Sequence, residues 1–299
     1  MIRFILASAA VSVVFLLVSR QDVDAQTQTQ SPNGRQILVE SFVISGTQSV
    51  DSAELAEITN SIAGSRFNDD EEELQERIRA QFQDRGYFKA EIKKLDIKTI
   101  DPLVSPKQVR IEALVSEGPR CRLASVEFTG NHAFSSDALR AKFPMKIGSV
   151  FSRGKIAGGL ESMRKLYGSR GFLDFVCFPD TEINSSATVK LSIEVQEGTQ
   201  YRMGKFEVFG PSGIAEKLQT RWELAPGAVF DFGYVSDFLD KNHSLLPADF
   251  NQSNGVALLT DCPDATVAVH LHLTSDAQHD VRDRALHVDC SKPDDDKAK

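Results

Sequence analysis

The chain has 299 residues, 41% of them hydrophobic, and carries a net charge of -8 at neutral pH. That acidic balance argues against nucleic-acid binding, whose affinity comes largely from Lys and Arg neutralising phosphates. Four cysteines allow two disulfides in an oxidising compartment, in three possible pairings. The first element is an apolar run from Phe4 to Val18, broken only by Ser8 and Ser12 and followed by the polar stretch Arg20 to Ala25. It falls short of the roughly 20 apolar residues of a membrane span, so residues 1–25 read as a signal peptide cleaved between Ala25 and Gln26. Residues 26–35 read as a disordered linker. The alternative is an uncleaved anchor on an envelope or cell-division scaffold, which the mass of the mature N-terminus distinguishes.

Beyond the linker the sequence repeats. VSEGPRCRLASVEFTG (115–130) and VQEGTQYRMGKFEVFG (195–210) agree at six of sixteen positions, among them Glu117/Glu197, Gly118/Gly198 and Gly130/Gly210. Aligned on Gly46, Gly130 and Gly210, three copies open on an alternating strand, SFVIS, SVEFT or KFEVF, that ends at a glycine able to take a left-handed turn. Each then carries Gly-x-x-Phe followed by Asn68, Ser152 or Asp231, side chains that accept from the free amides of a helix's first turn, so a helix is predicted to start there. Leu74, Ile78 and Phe82, and Ile156, Leu160, Met163 and Tyr167, lie at steps of three or four on one face of those helices. The acidic run Asp69 to Glu73 reads as a solvated helix start that complements the dipole.

RGYF (85–88) and RGFL (170–173) stop the first two of these helices at Gly86 and Gly171, and the aromatic begins a second strand. A closing strand alternates Val109, Ile111 and Val115 in copy one, Val189, Leu191, Ile193 and Val195 in copy two, and Val267, Val269, Leu271 and Leu273 in copy three, so one face is buried and the other wet. Copy three lacks the Arg-Gly-aromatic turn, and its second helix, near 234–241, ends before Pro247. The predicted fold is α+β: tandem small β-α-α-β-β domains over 36–118, 119–198 and 199–276, each a three-stranded mixed sheet with two helices on one face, followed by a polar tail over 277–299. Cys262 and Cys290 bracket the last strand and the start of the tail and are the first-choice disulfide. Cys121 with Cys177 follows by elimination, unless a pair stays reduced as core residues.

The strand-helix-helix-strand-strand order, the glycine after the first strand, the Gly-x-x-Phe-polar start, the RGY/RGF turn and the Glu-Gly before each next unit together resemble polypeptide-transport-associated (POTRA) domains. Such domains form the periplasmic arms of BamA-type outer-membrane assembly proteins and of two-partner secretion transporters, where they usually precede a membrane β-barrel. The resemblance implies a non-catalytic periplasmic scaffold for outer-membrane protein assembly or export. Its implied partners are unfolded or nascent outer-membrane or exported polypeptides and a separate β-barrel assembly protein, with neither nucleic acid nor a small-molecule substrate. It also implies that the second strand of each unit is an exposed edge to which a client adds a strand. The candidates are 90–97 in copy one and the apolar LDFVCF in copy two, where Leu173, Phe175, Val176 and Phe178 are the expected contact residues.

A different class of function rests on His270 and His272, which share one face of the last strand at a spacing of about 7 Å. With His279, His287 or Asp261 they would make a zinc site. Val269, Leu271 and Leu273 claim the dry face, however, and no closed-site spacing, phosphate loop, Gly-x-Ser-x-Gly or Cys-x-x-Cys is present. The expectation is therefore no metal, no cofactor and no enzyme activity.

Overall fold

In a computed structural model of the protein, residues 36–274 are described; Ala25, Gln26 and Cys290 lie outside them. The described chain forms two compact units. One holds residues 36–127, 143–159 and 179–193, the other 128–142, 160–178 and 194–274.

In the first unit, β1 (Ile37–Ser45), β2 (Arg66–Phe67), β3 (Glu91–Thr99) and β4 (Gln108–Ser116) form a sheet of order β2-β1-β4-β3. β1 runs parallel to β4, and β3 antiparallel to it. The parallel pair requires a crossover, which is supplied by α1 (Ser52–Ile62) and α2 (Glu71–Asp84). Ile58 and Ile62 of α1 and Leu74, Ile78 and Phe82 of α2 pack in one core with Ile37, Val39, Phe42, Val109, Ile111, Ala113 and Val115 of the sheet. The period-two and period-3.6 patterns thus meet at a single dry interface.

The next sheet has β5 (Arg122–Thr129), β6 (Val176–Ile183) and β7 (Thr188–Gln196) in the order β5-β7-β6. Its helices are the short α3 (Ser136–Arg140) and the long α4 (Arg153–Gly168). The third sheet, in the second unit, has β8 (Arg202–Phe209), β9 (Val256–Asp261) and β10 (Thr266–His272) in the order β8-β10-β9, with β8 parallel and β9 antiparallel to β10. α5 (Ser212–Arg221) and α6 (Phe232–Lys241) carry Leu218, Val235, Phe238 and Leu239 into its core. A 3-10 turn at His243–Leu245 and the one-turn α7 (Gln252–Gly255) stand where the other copies have their Arg-Gly-aromatic turn.

The architecture is the expected mixed α+β series, with local differences. Ser152 and Asp231 sit at the helix starts as expected, the Asp231 carboxylate accepting from the Gly233 and Tyr234 amides at 2.9 and 3.3 Å. Asn68 does not cap. Asp69 takes a left-handed conformation (φ 56°), and Asp70 instead accepts from the Glu72 and Glu73 amides at 2.9 and 3.1 Å. The first copy has extra residues between its Phe and its helix, and the cap moves with the chain's last bend. The first sheet also has four strands, because Arg66–Phe67 pairs with β1. In the other copies the same segment makes single bridges, Arg122 with Val150 and Arg202 with Val229. Gly-x-x-Phe therefore closes the side of each first strand as well as introducing a helix. Cys121 and Cys177 are both free, so the pairing expected by elimination does not form; each thiol sits within the fold, and burial pushes that of Cys177 up to about 11. Cys262 is disulfide-bonded.

Candidate functional site

In each sheet the second strand of the repeat is an edge, with neighbours on one side only: β3, β6 and β9. The edges differ in how they are blunted against pairing. β3 is broken by a register shift at Lys93 and studded with Lys93, Lys94, Asp96 and Lys98, which form ion pairs with Glu91, Asp96, Lys94 and Glu112. β6 carries Pro179, which has no amide to donate. β9, VALLTD, has neither device, and it pairs with β10 in unbroken register from Val256 to Asp261.

The four residues expected to line the second-copy edge separate. Val176 and Phe178 lie on β6, Val176 half-buried and Phe178 52% exposed. Leu173 and Phe175 precede the strand, which starts three residues later than LDFVCF suggests. Leu173 packs against the core of the third sheet, and Phe175 is buried with its ring stacked on Tyr167 at 4.2 Å. Their apolarity serves packing, whereas that of Phe178 faces outward.

The Glu-Gly pairs that end copies one and two do more than link. Glu117 is only 5% exposed, and its Oε1 accepts from the Gln48 and Ser49 amides (both 2.7 Å) and the Ser49 hydroxyl (2.8 Å) in the turn after β1. Burial pushes this carboxyl up, but the hydrogen bonds outweigh burial and hold it at about 2. Tyr87 donates to the Ser49 carbonyl at 3.1 Å in the same turn. In copy two the Glu197 Oε1 accepts from the His132 and Ala133 amides (both 2.8 Å) and from the Tyr167 hydroxyl (2.9 Å). Burial and this bond push the Tyr167 phenol well above its usual range. The tyrosine comes from the RGY turn in one copy and from the preceding helix in the other. Copy three ends Leu273-Thr274-Ser275 and has no such glutamate. Glu117 and Glu197 are among the matched positions of the repeat, and that match was the only sign of the latch in the sequence.

His270 and His272 share the outer face of the third sheet. His270 Nε2 lies 3.0 Å from Glu207, and His272 stacks on Phe209 at 4.7 Å. Among the described residues no three His, Cys, Asp or Glu side chains come together as a metal site.

These repeated sheets, with the second strand of each repeat at an edge, crossover helices, and in the first and third sheets a first strand parallel to the last, define a POTRA array. The chain belongs to the POTRA family (surface antigen variable number repeat), which matches residues 37–118 and 121–198, just over half of the sequence. It is 27% identical over 140 residues to the outer membrane protein assembly factor BamA of Neisseria meningitidis serogroup B, a match covering 42% of this chain and 17% of that protein. It is 24% identical over 196 residues to a putative outer membrane protein assembly factor of Treponema pallidum, covering 56% of this chain and 23% of the relative. The chain thus spans about a fifth of the length of the curated relatives it matches. Among solved structures, POTRA3-5 of Haemophilus influenzae BamA superimposes with a TM-score of 0.57 at 19% identity, over 80% of this chain and 97% of that one. At that identity the likeness speaks for the fold alone.

Proposed function

We propose that the protein is a non-catalytic periplasmic scaffold in outer-membrane protein assembly, which holds extended segments of client polypeptides by adding them as strands to its open sheet edges. The observation that carries this reading is the repeated placement of the second strand at an edge, with β9 free of bulge, lysine and proline. Backbone pairing is tolerant of sequence, which suits a holder of many unfolded clients. On β6 the contact role falls to Val176 and Phe178; on β9 it falls to Leu259, whose partner Ala268 places it on the outer face. The kinship with outer-membrane assembly factors supports the compartment and the class of client, and the separate β-barrel partner is part of the same proposal.

The test is an NMR titration of the isotopically labelled chain, lacking residues 1–25, with an unfolded outer-membrane-protein segment of alternating hydrophobicity. Amide shifts are expected to concentrate on β9 and β6, and Val176→Arg and Leu259→Arg are expected to weaken binding severalfold with unfolding midpoints unchanged. Shifts confined to the helices, or binding undiminished in both variants, refute strand addition.

A further inference from the structure

Copies one and two differ at a surface away from the sheet edges. In copy one the arginines at and beside the RGY turn are met by acids of the copy's first helix. Arg85 pairs with Glu57 at 3.0 Å and donates to the Gln81 carbonyl at 2.9 Å. Arg120 pairs with Glu54 at 2.6 Å, donates through Nε to the Arg85 carbonyl at 3.0 Å, and lays its guanidinium over the Tyr87 ring, 5.6 Å from its centre. Two acidic side chains from the first helix thus pair with two arginines, one of which lies over an aromatic ring.

Copy two keeps the turn and lacks those acids. Arg170 and Phe172 stand at the places of Arg85 and Tyr87, but Ala138 and Ala141 replace Glu54 and Glu57, and Gln200 replaces Arg120. Gln200 reproduces one bond only, Nε2 to the Arg170 carbonyl at 3.0 Å. An open groove of about 560 Å³ is lined here by His132, Phe134, Arg170, Phe172, Glu197 and Gln200, whereas the open groove of about 520 Å³ beside Arg85 in copy one is lined by Glu54 and Glu57. Phe134 and Phe172 are braced edge-to-face against Tyr167, with ring centres 4.8 and 5.7 Å apart. The Glu197 oxygen Oε1 is already engaged by three donors of the latch. Arg170 is exposed and has no ion pair among the described residues.

We infer that this groove is a docking site for an acidic side chain, Glu or Asp, presented by a partner polypeptide next to an apolar residue. The carboxylate pairs with Arg170, as Glu57 does with Arg85 in copy one, and the apolar neighbour covers Phe134 and Phe172. Copy one shows that the fold accommodates an acid at this turn and which arginine it meets. In copy two the chain does not supply the acid itself, so the guanidinium keeps its bidentate donors for a group from outside. The site uses no sheet edge, and its failure leaves the strand-addition reading intact.

The probe is N-acetyl-Phe-Glu-amide, titrated at low salt into the labelled chain lacking residues 1–25, with N-acetyl-Phe-Gln-amide as the neutral control. The expected result is shifts at Arg170, Phe172 and Phe134, with the acidic peptide preferred by about fivefold, the scale of one solvent-facing ion pair. Arg170→Gln, at an exposed side chain, should abolish the preference without changing the fold. The triple variant Ala138→Glu, Ala141→Glu and Gln200→Arg restores the copy-one pairs and should abolish the preference for the acidic peptide. Equal binding of the two peptides, a preference that survives Arg170→Gln, or shifts elsewhere on the chain overturns the inference.

Discussion

The latch at Glu117 gives a prediction whose size follows from its geometry. The carboxylate is all but buried and accepts three hydrogen bonds through Oε1, and its acidity moves from the ordinary 4.5 to about 2. A group whose folded-state value lies below its unfolded value stabilises the fold above the unfolded value, and that contribution fades as pH falls through the folded one. The window here is therefore pH 4.5 down to 2, and a shift of that size is worth about 3 kcal/mol at neutral pH. Glu117→Gln keeps an acceptor oxygen but loses the charge, which roughly halves the strength of such bonds, so it should cost about 1.5–2 kcal/mol at pH 7. Glu117→Ala leaves the Gln48 and Ser49 amides without their acceptor and should cost about 3–4 kcal/mol. Two measurements check this. The amide proton shifts of Gln48 and Ser49 should titrate with a midpoint near 2, and the urea stability gap between wild type and Glu117→Gln should shrink as pH is lowered from 4.5 toward 2. A titration midpoint near 4.5, or a gap below about 0.5 kcal/mol at pH 7, refutes the account.

The second latch should respond in kind: Glu197→Ala strips the acceptor from the His132 and Ala133 amides and the Tyr167 hydroxyl, an expected loss of about 2–4 kcal/mol, read by urea unfolding. Gly130→Ala should cost about 2 kcal/mol or more, read by thermal unfolding, because the residue sits at φ 77° and an added Cβ would meet the Val195 carbonyl oxygen. The Cys177 thiol, pushed by burial to about 11 from an ordinary 9.0, should react with iodoacetamide at pH 8 about 100-fold more slowly than a free thiol, and about tenfold faster for each unit of pH up to 10; a rate matching that of a free cysteine refutes the burial.

What the sequence makes legible here is whatever is written in period or punctuation. The alternation in β4, β7 and β10 and the helical spacing of Leu74, Ile78 and Phe82 appear as buried faces, because burial acts on every turn of an element and leaves a regular trace. Ser152 and Asp231 are readable as helix starts, since a cap is a local bond between near neighbours. Asn68 misleads for the same reason: the local pattern is intact, but a left-handed Asp69 delays the helix by one further bend. Leu173 and Phe175 mislead differently. An apolar residue before an edge strand carries no mark that says whether it pairs outward or packs inward, and here it is long-range packing on Tyr167 and on the third core that decides.

The repeat itself carries the remaining information, through its differences more than its likenesses. Positions held in common, such as Glu117/Glu197 and Gly46/Gly130, are those where backbone amides or carbonyls leave little choice, so they report on the fold. At the turn before each second strand, copy one meets its own needs with Glu54, Glu57 and Arg120, whereas copy two, with Ala138, Ala141 and Gln200, leaves Arg170 and its aromatic neighbours uncovered. The two copies fold on the same latch, so the acids are not required for the turn to form. The same comparison applied to the edges separates β3, with its lysines and bulge, from β9, which has neither. A duplicated unit relieved of the need to cover a surface can present that surface to something else, and in this chain the relieved positions fall on the second copy's turn and the third copy's edge.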